Sequence, residues 1–416
     1  MKRRLLPILM TLVLVCALPI WAAFVTSGDV TNPLLTTADA AELTLQGMID
    51  QANAGDTIKL SSNTEIAATL QITKNLTLDL NGCVLRMRGT GSVLKVSDRA
   101  TLTITDSSAA KSGTITGGNA EDGGGVYVEA HATLEMTGGC ITGCRAEDGG
   151  GVYIDNNATL KMTGGCITDC HASYGGGGIY SYENLYMGGT AKIEKCTSKW
   201  GSDDAIWNRE RCNIYADGGT VDGTVNNQGT IRRSEGAAAE TVFNGTVYNR
   251  SAGTIIAGIY NETVENNGTI TGGTFWGTVT NKKSAWGNEA GTISGGTFAV
   301  RFDTGDGTKP EPTPVEHNRT VLRPTSDPEK SGHTFVGWYL GDALYDFNTP
   351  VTAPLTLTAK WEKVPSSGGY YYYPTTDTKT DGTKGSPKTF DPGAALYGAL
   401  ALLSLTGMVA LNGKKR

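Results

Sequence analysis

The chain has 416 residues, of which 56 are glycine and 18% are charged, and its formal net charge is −6. This acidic balance excludes a surface built for nucleic acid or anionic lipid. Abundant Gly, Thr and Asn favour short strands joined by turns over helical domains. We therefore predict an all-β protein that has no nucleic-acid partner, and no motif in the sequence indicates a cofactor.

Residues 1–40 are predicted to be a signal peptide. Three basic residues near the start precede an apolar run from Leu5 to Val25, which is the usual layout of such a peptide. An uncleaved membrane anchor is the alternative. The cleavage site stays open, because residues 21–23 (WAA) lack a small residue at the right offset, whereas residues 38–40 (ADA) fit but lie far downstream.

A short amphipathic helix is predicted within residues 43–54 (LTLQGMIDQANA). Leu45, Met48, Ile49 and Ala52 recur there at helical spacing. Such a helix would cover the open end of a stack of strands, where unpaired backbone groups favour aggregation.

The central part of the chain is repetitive. Residues 123–148 and 149–174 are in-register copies without a gap, and a degraded third copy begins at Gly175. Apolar residues alternate within each copy and Gly-rich turns separate the alternating runs, which indicates about three strands per coil. Each coil would lie on the previous one and stack like residues on like. The predicted stacks are Val126 over Val152, Leu134 over Leu160, and Met136 over Met162.

Looser copies of this pattern continue to residue 299. Together these features resemble the right-handed parallel β-helix (pectin-lyase-like) family, and more narrowly its glycine-rich members in surface proteins of Gram-positive bacteria. The resemblance implies one parallel β-helix solenoid over residues 41–299. It specifies architecture well and function poorly.

Five cysteines follow the repeat. Cys144, Cys170 and Cys196 occupy inward positions, whereas Cys140 and Cys166 point outward. The two groups point to opposite sides of the strands that form the solenoid and cannot share one zinc ion, so no metal site is expected from them. We expect stacked cysteines that act as small buried apolar residues, with interstrand disulfides as the alternative.

Acidic residues also stack between the repeats. Glu121 and Asp122 would lie over Glu147 and Asp148, and like charges about 5 Å apart repel unless they are solvated or bridged by a cation. A bound calcium ion is therefore one hypothesis for this turn.

Some parallel β-helices cleave polysaccharides, and hydrolysis needs two carboxylates that flank the glycosidic bond. The segment GSDDAIW contains Asp203 and Asp204, which resemble the paired aspartates of β-helical polygalacturonases. The repeat register explains this segment as one more turn, and the other motifs of that family are absent from the sequence. We expect a non-catalytic protein, with a polysaccharide-degrading hydrolase or lyase as the alternative.

Outward aromatic residues are candidates for contact with a host or environmental glycan or protein. The candidates are Tyr127, Tyr153, Trp207 and Trp276.

Residues 300–363 differ in pattern from the solenoid. The segments GHTFVGWY (332–339), YDFNTPVT (345–352) and LTLTAKW (355–361) closely resemble the internalin-type B-repeat, a β-grasp-like module of bacterial surface proteins. The resemblance implies a spacer or interaction module without catalysis.

Residues 364–385 have the composition of a disordered linker. Residues 386–416 then combine a short polar motif, an uncharged segment at 394–411 and a basic tail. The uncharged segment is long enough for a transmembrane helix, with the basic tail on the cytoplasmic side. This order resembles a sortase sorting signal, whose motif would be Ser386, Pro387, Lys388, Thr389 and Phe390.

The resemblance implies that a sortase cysteine cleaves after Thr389 and transfers its carbonyl to a peptidoglycan precursor. Ser386 stands where Leu is usual and Phe390 where Gly is usual, so the cleavage would need a sortase of altered specificity. Retention in the membrane by the 394–411 helix is the alternative. We therefore expect an exported adhesin or display scaffold on the cell wall, and a purely structural envelope protein is a further alternative.

Overall fold

The computed structural model describes residues 24–26, 44–199, 204–283 and 290–364. All of them belong to one compact unit. The predicted sorting signal, the 394–411 segment, the linker beyond Val364 and most of the predicted signal peptide lie outside the described residues. Among the residues described, no helix is both long enough and apolar enough to cross a membrane.

Apart from one helix, these residues are all-β. Successive coils pair in parallel along three ladders. Ladder 1 consists of Leu70–Ile72, Leu94–Val96, Val126–Val128, Val152–Ile154, Ile179–Ser181, Asp204–Asn208, Thr224–Asn227, Val247–Asn249, Val264–Asn266 and Val279–Asn281. Ladder 2 consists of Thr57–Lys59, Leu76–Asp79, Thr101–Thr105, Thr133–Met136, Thr159–Met162, Asn184–Glu194, Asn213–Asp222, Thr230–Arg232, Thr254–Ile255, Thr269–Ile270 and Thr292–Ile293.

The two long strands Asn184–Glu194 and Asn213–Asp222 continue from ladder 2 into ladder 3. The other members of ladder 3 are Thr64–Ile66, Val84–Met87, Thr114–Thr116, Cys140–Thr142, Cys166–Thr168, Val242–Phe243, Ile259–Tyr260, Thr274–Phe275 and Thr297–Asp303. A short three-stranded sheet contains Arg145–Asp148, His171–Gly175 and Thr197–Ser198. We call these stacked coils the solenoid.

The predicted register of the two near-identical repeats is confirmed. Val126 pairs with Val152 in ladder 1, and Leu134 pairs with Leu160 in ladder 2. These four side chains are fully buried, because alternate residues of each strand point into the solenoid. The long parallel stacks fit the predicted parallel β-helix.

The helix Leu45–Gln51 closes the first end of the solenoid. Leu45 and Ile49 pack into the core. The Gln46 side chain accepts a hydrogen bond from the Gln71 backbone N–H at 2.8 Å and donates one to its carbonyl at 3.2 Å. The helix therefore covers apolar surface and also satisfies the free edge of the first strand of ladder 1.

The short strand Phe24–Thr26 pairs antiparallel with Thr57–Lys59. It lies inside the predicted signal peptide. Of the two cleavage sites that the sequence leaves open, cleavage at residues 21–23 would keep this strand and cleavage at 38–40 would remove it.

A row of asparagines, buried except for its last member, runs through the second half of ladder 1. In each case the amide nitrogen of one asparagine donates to the amide oxygen of the next, at 2.7 to 2.8 Å. The row consists of Asn208, Asn227, Asn249, Asn266 and Asn281. Because each amide has a donor and an acceptor, successive amides of the row satisfy one another away from water, whereas the amide oxygen of Asn208, at the start of the row, is buried without a hydrogen-bond partner.

A second internal row is aromatic and lies in ladder 3. Phe243, Tyr260, Phe275 and Phe298 stack with ring centroids 4.9 to 5.4 Å apart. The buried Tyr260 hydroxyl donates to the carbonyl of Ala257 at 2.7 Å, so its polar end is also satisfied.

The last part of the described chain forms a small sheet whose core includes Phe302, Trp338 and Leu357. Its strands are Thr297–Asp303, Thr313–Glu316, His333–Leu340, Ala343–Leu344 and Leu355–Lys363. Thr297–Asp303 belongs both to ladder 3 and to this sheet, since it pairs with Thr274–Phe275 and with Leu355–Lys363. The domain boundary predicted at residues 299 and 300 falls inside this shared strand.

As expected, some cysteines point into the solenoid and others point outward. Cys144, Cys170 and Cys196 are buried free thiols, whereas Cys140 and Cys166 form a disulfide across a Cα–Cα distance of 4.5 Å. Hydrogen bonds with Cys144 and Cys196, together with burial, raise the pKa of the Cys170 thiol. The structure therefore has buried thiols at the inward positions and a disulfide, the alternative from the sequence, at the outward pair.

Replacing Asn249 by Ala should lower the free energy of unfolding by about 1–3 kcal/mol for each buried amide group that loses its partner. The affected groups are the amide nitrogen of Asn227 and the amide oxygen of Asn266. The matched control is Asn244→Ala, because Asn244 also bonds an asparagine of the next coil but is exposed. Urea unfolding measures both variants, and equal losses would contradict a special role for the buried row.

Peptide mapping of non-reduced protein should find Cys140 linked to Cys166. A thiol reagent should label Cys144, Cys170 and Cys196 only after unfolding, because their sulfur atoms are shielded from solvent. A bond between Cys144 and Cys170 in the native protein would show that the inward stack is the oxidised one.

Candidate functional site: aromatic and acidic rows on one side of the solenoid

Four aromatic side chains form one outward row on ladder 1, which we call the aromatic row. Its members are Tyr127, Tyr153, Tyr180 and Trp207, and they occupy equivalent positions in four successive coils. The ring centroids are 5.4, 5.7 and 6.2 Å apart, and the interplanar angles are 20°, 4° and 11°. The rings therefore cover one another's faces and direct their edges outward.

Lys95 and Asn226 flank the aromatic row on ladder 1. The Lys95 ammonium lies 5.4 Å from the centroid of Tyr127, and Asn226 is the register partner of Trp207 in the next coil. Sugar rings usually bind by packing against an aromatic face, and the faces between neighbouring rings of this row are already occupied. A ligand would therefore meet mainly ring edges and hydroxyl groups. The glycan contacts at Tyr127, Tyr153 and Trp207 stay a prediction, and they would be made through these edges and hydroxyls.

Several ring hydroxyls already have hydrogen-bond partners. Tyr127 donates to the Asp155 carboxylate at 3.1 Å, and the Arg209 guanidinium donates to Tyr180 at 2.9 Å and to Tyr182 at 3.2 Å. Burial raises the pKa of Tyr180 to about 12. Arg209 also lies 4.6 Å from the centroid of Tyr182, so one cation fixes two phenols beside the aromatic row.

Trp276 does not belong to this row. It directly follows the strand Thr274–Phe275 of ladder 3, and its carbonyl accepts a hydrogen bond from the Arg301 guanidinium. Sequence reasoning put it with the other aromatic candidates and missed Tyr180, which the in-register repeat places between Tyr153 and Trp207.

The acidic turns beside the aromatic row bring Asp122 and Asp148 together as predicted. The two residues pair as a parallel bridge between coils. Burial, followed by the negative charges of Asp148 and Glu121, raises the pKa of Asp122 to about 6. Burial also raises the pKa of Asp148, whose carboxylate accepts a hydrogen bond from the Gly175 N–H at 3.1 Å.

Glu121 and Glu147 are exposed and contact each other through their backbones. In the part of the chain that the structure describes, no group of three or more His, Cys, Asp or Glu side chains could hold a metal ion. The calcium hypothesis at Glu121, Asp122, Glu147 and Asp148 stays a prediction.

Asp204 is the described half of the aspartate pair considered for catalysis, and Asp203 lies outside the described residues. Asp204 is only 2% exposed. Its carboxylate accepts hydrogen bonds from the Gly176 N–H at 2.9 Å and from the Asn226 amide at 3.3 Å. Burial raises its pKa. The two hydrogen bonds connect Asp204 to the turn at Gly176 and to Asn226 of the next coil.

A polar cleft of about 430 Å³ lies near the end of the solenoid. Its floor consists of two stacked Gly-Gly corners, at residues 272–273 and 295–296, and Glu240, Glu316 and His317 line its sides. The repeated sequence Gly-Gly-Thr-Phe was the signal for this floor, but sequence reasoning did not identify the cleft.

Comparison with known proteins identifies one part of the chain. Residues 298–360 match the family model of the Listeria-Bacteroides repeat domain. Two proteins of Evansella cellulosilytica are similar over 69 residues. One, provisionally named a Gly-rich membrane protein, is 36% identical, and the alignment covers 16% of this chain and 8% of the relative. The other, provisionally named a membrane protein, is 39% identical, with coverage of 16% and 10%.

The alignments therefore span a small fraction of either relative, and no solved structure matches the chain. The repeat-domain match supports the predicted resemblance to a bacterial surface repeat at residues 300–363. Together with the parallel strand stacks, it fits a surface or membrane-associated repeat protein.

The raised pKa of Asp122 predicts a pH-dependent effect of Asp122→Asn. A carboxyl whose pKa is higher in the folded state than in the unfolded state favours folding below its unfolded value of 3.8, and this contribution disappears as pH rises through about 6. At pH 7.5 the variant should be more stable than the parent, by about 1 kcal/mol after allowance for solvent screening. At pH 4 the difference should vanish.

Denaturant unfolding at the two pH values measures this effect. Glu235→Gln, which removes an exposed carboxylate far from this row in the sequence, serves as the control and should show no such pH dependence. A parent protein more stable than Asp122→Asn at pH 7.5 would contradict the repulsion argument and would favour a bound cation.

Proposed function

We propose that the chain is an exported, non-catalytic cell-surface protein that acts as an adhesin or display scaffold and is attached to the cell wall. The Listeria-Bacteroides repeat domain and the membrane-protein names of the two relatives support an envelope location. The proposed partners are a sortase and a peptidoglycan precursor during attachment, and a host or environmental glycan or protein afterwards.

The observation that carries this proposal is the strand Thr297–Asp303. Its first residues pair in parallel with Thr274–Phe275, and its last residues pair in parallel with Leu355–Lys363. The ring of Phe298 also stacks on Phe275 at 5.4 Å. The solenoid and the repeat domain are therefore joined by a shared strand and a shared core, as a rigid spacer or display element requires.

The absence of catalysis is part of the proposal, and the polysaccharide-degrading enzyme is its alternative. Asp204 supports the non-catalytic interpretation, because its carboxylate is buried and bonded to the Gly176 N–H and the Asn226 amide. A general acid or a base must reach the substrate within hydrogen-bond distance. Incubation with wall and plant polysaccharides should release no new reducing ends or unsaturated sugars.

The proposed attachment rests on Ser386, Pro387, Lys388, Thr389 and Phe390 and on the apolar segment 394–411. Sortase processing would leave a wall-linked chain that ends at Thr389. Without processing, the apolar segment would keep the protein in the membrane as a single-pass protein.

Mass spectrometry of the C-terminal peptide released from purified walls tests the attachment. We expect a peptide that ends at Thr389 and carries a cross-bridge fragment. Thr389→Ala should move the protein from the wall fraction to the membrane fraction, because the acyl-transfer site is lost. Ser386→Leu is the matched control, since it restores the usual residue of the motif and should preserve wall attachment. Parent protein that detergent extracts fully from membranes would instead support retention by the apolar segment.

A further inference from the structure

Two outward tyrosines face each other on adjacent coils of ladder 2. Tyr186 lies in Asn184–Glu194, Tyr215 lies in Asn213–Asp222, and the two residues are register partners. Their neighbours along each strand are buried, so the alternation of the strand directs both phenols outward. Both tyrosines are half-buried, which leaves their ring edges accessible to solvent.

The two rings are almost perfectly parallel. Their centroids are 4.2 Å apart and their planes differ by 2°. Burial raises the pKa of Tyr186, and the proximity of Tyr215 acts in the same direction. Because the rings are nearly parallel and their centroids are close, the ring carbons of the two phenols face each other.

The tyrosine pairs of the aromatic row are arranged less closely. Tyr127 and Tyr153 are 5.4 Å apart at 20°, and Tyr153 and Tyr180 are 5.7 Å apart. In each of these pairs one hydroxyl is held by a charged group, Asp155 for Tyr127 and Arg209 for Tyr180. Among the described tyrosine pairs, Tyr186 and Tyr215 have the shortest ring separation and the smallest interplanar angle.

We propose that Tyr186 and Tyr215 form an oxidative cross-linking site, at which a haem peroxidase and hydrogen peroxide join the two coils through a bityrosine bond. Each phenol loses one electron and its hydroxyl proton to give a phenoxyl radical. The two radicals pair to form one carbon–carbon bond between their ortho carbons. The hydrogens on those carbons then move to the oxygens and restore both phenols. The two electrons and two protons released reduce one hydrogen peroxide to two water molecules.

The product would be a second covalent link between coils. The disulfide Cys140–Cys166 joins residues 26 positions apart in neighbouring coils. The bityrosine would join the next pair of coils along the chain, Asn184–Glu194 and Asn213–Asp222. Both links lie on the outer surface of the solenoid, where the reagent has access. Both connect strands that are already paired with each other. The modified solenoid should therefore resist unfolding without a change of fold.

Dilute full-length protein treated with a haem peroxidase and hydrogen peroxide tests this proposal. We expect bityrosine fluorescence in the monomer fraction. Mass spectrometry should find the peptide of Tyr186 joined to that of Tyr215, with the loss of two hydrogens. Tyr186→Phe and Tyr215→Phe should each abolish the monomer signal. Both variants keep the ring stack, and circular dichroism should show an unchanged fold.

Tyr127→Phe is the matched control, because it removes a hydroxyl from the aromatic row and should leave the monomer signal intact. A cross-link that maps to Tyr127 and Tyr153 would overturn the proposal. So would bityrosine found only in covalent dimers, or a parent protein whose monomer fraction remains uncross-linked after the treatment.

Discussion

The constraint on which the structure depends is in-register parallel pairing between coils. It places each side chain about 4.8 Å from its counterpart in the next coil, so every residue must be compatible with its copy. Inside the solenoid, an identical apolar residue in the next coil is compatible with close stacking, as for Leu134 and Leu160. On the outside some positions depart from identity. Glu135 and Lys161 occupy equivalent positions in near-identical repeats and form an ion pair at 3.1 Å.

Polar and aromatic rows satisfy the same constraint by different means. Asparagines can repeat because an amide both donates and accepts, and aromatic rings can repeat because their faces attract when stacked. Aspartates cannot, and burial followed by the negative charge of Asp148 raises the pKa of Asp122. The aromatic row gains stability from its own stacking, but it loses the open faces on which a sugar-binding surface depends. A glycan or protein ligand would have to bind edges, hydroxyls and the charged groups beside them.

The sequence predicted the coils best where their length is constant. The 26-residue period placed Val126 on Val152 correctly, because one register satisfies every residue of the repeat. Beyond Asn208 the spacing of the asparagine row changes to 19, 22, 17 and 15 residues, so no fixed period revealed it. Its signal in the sequence was an Ile-x-Asn motif at Asn208 followed by four Val-x-Asn motifs. Ring orientation and the choice between thiol and disulfide depend on differences of a few tenths of an ångström in interatomic distance, which residue types do not specify.

The shared strand at the end of ladder 3 explains why the repeat domain begins where it does. A stack of parallel strands ends in unpaired backbone groups, which invite association with other chains. At the first end, the helix Leu45–Gln51 and the Gln46 side chain cover ladder 1. In ladder 3, Thr297–Asp303 is itself covered because Leu355–Lys363 continues the parallel pairing and Thr313–Glu316 adds an antiparallel neighbour. The repeat domain thus caps the solenoid as well as extending it. Phe298 belongs to the core of both, so a boundary drawn from composition alone must divide a strand that the structure keeps whole.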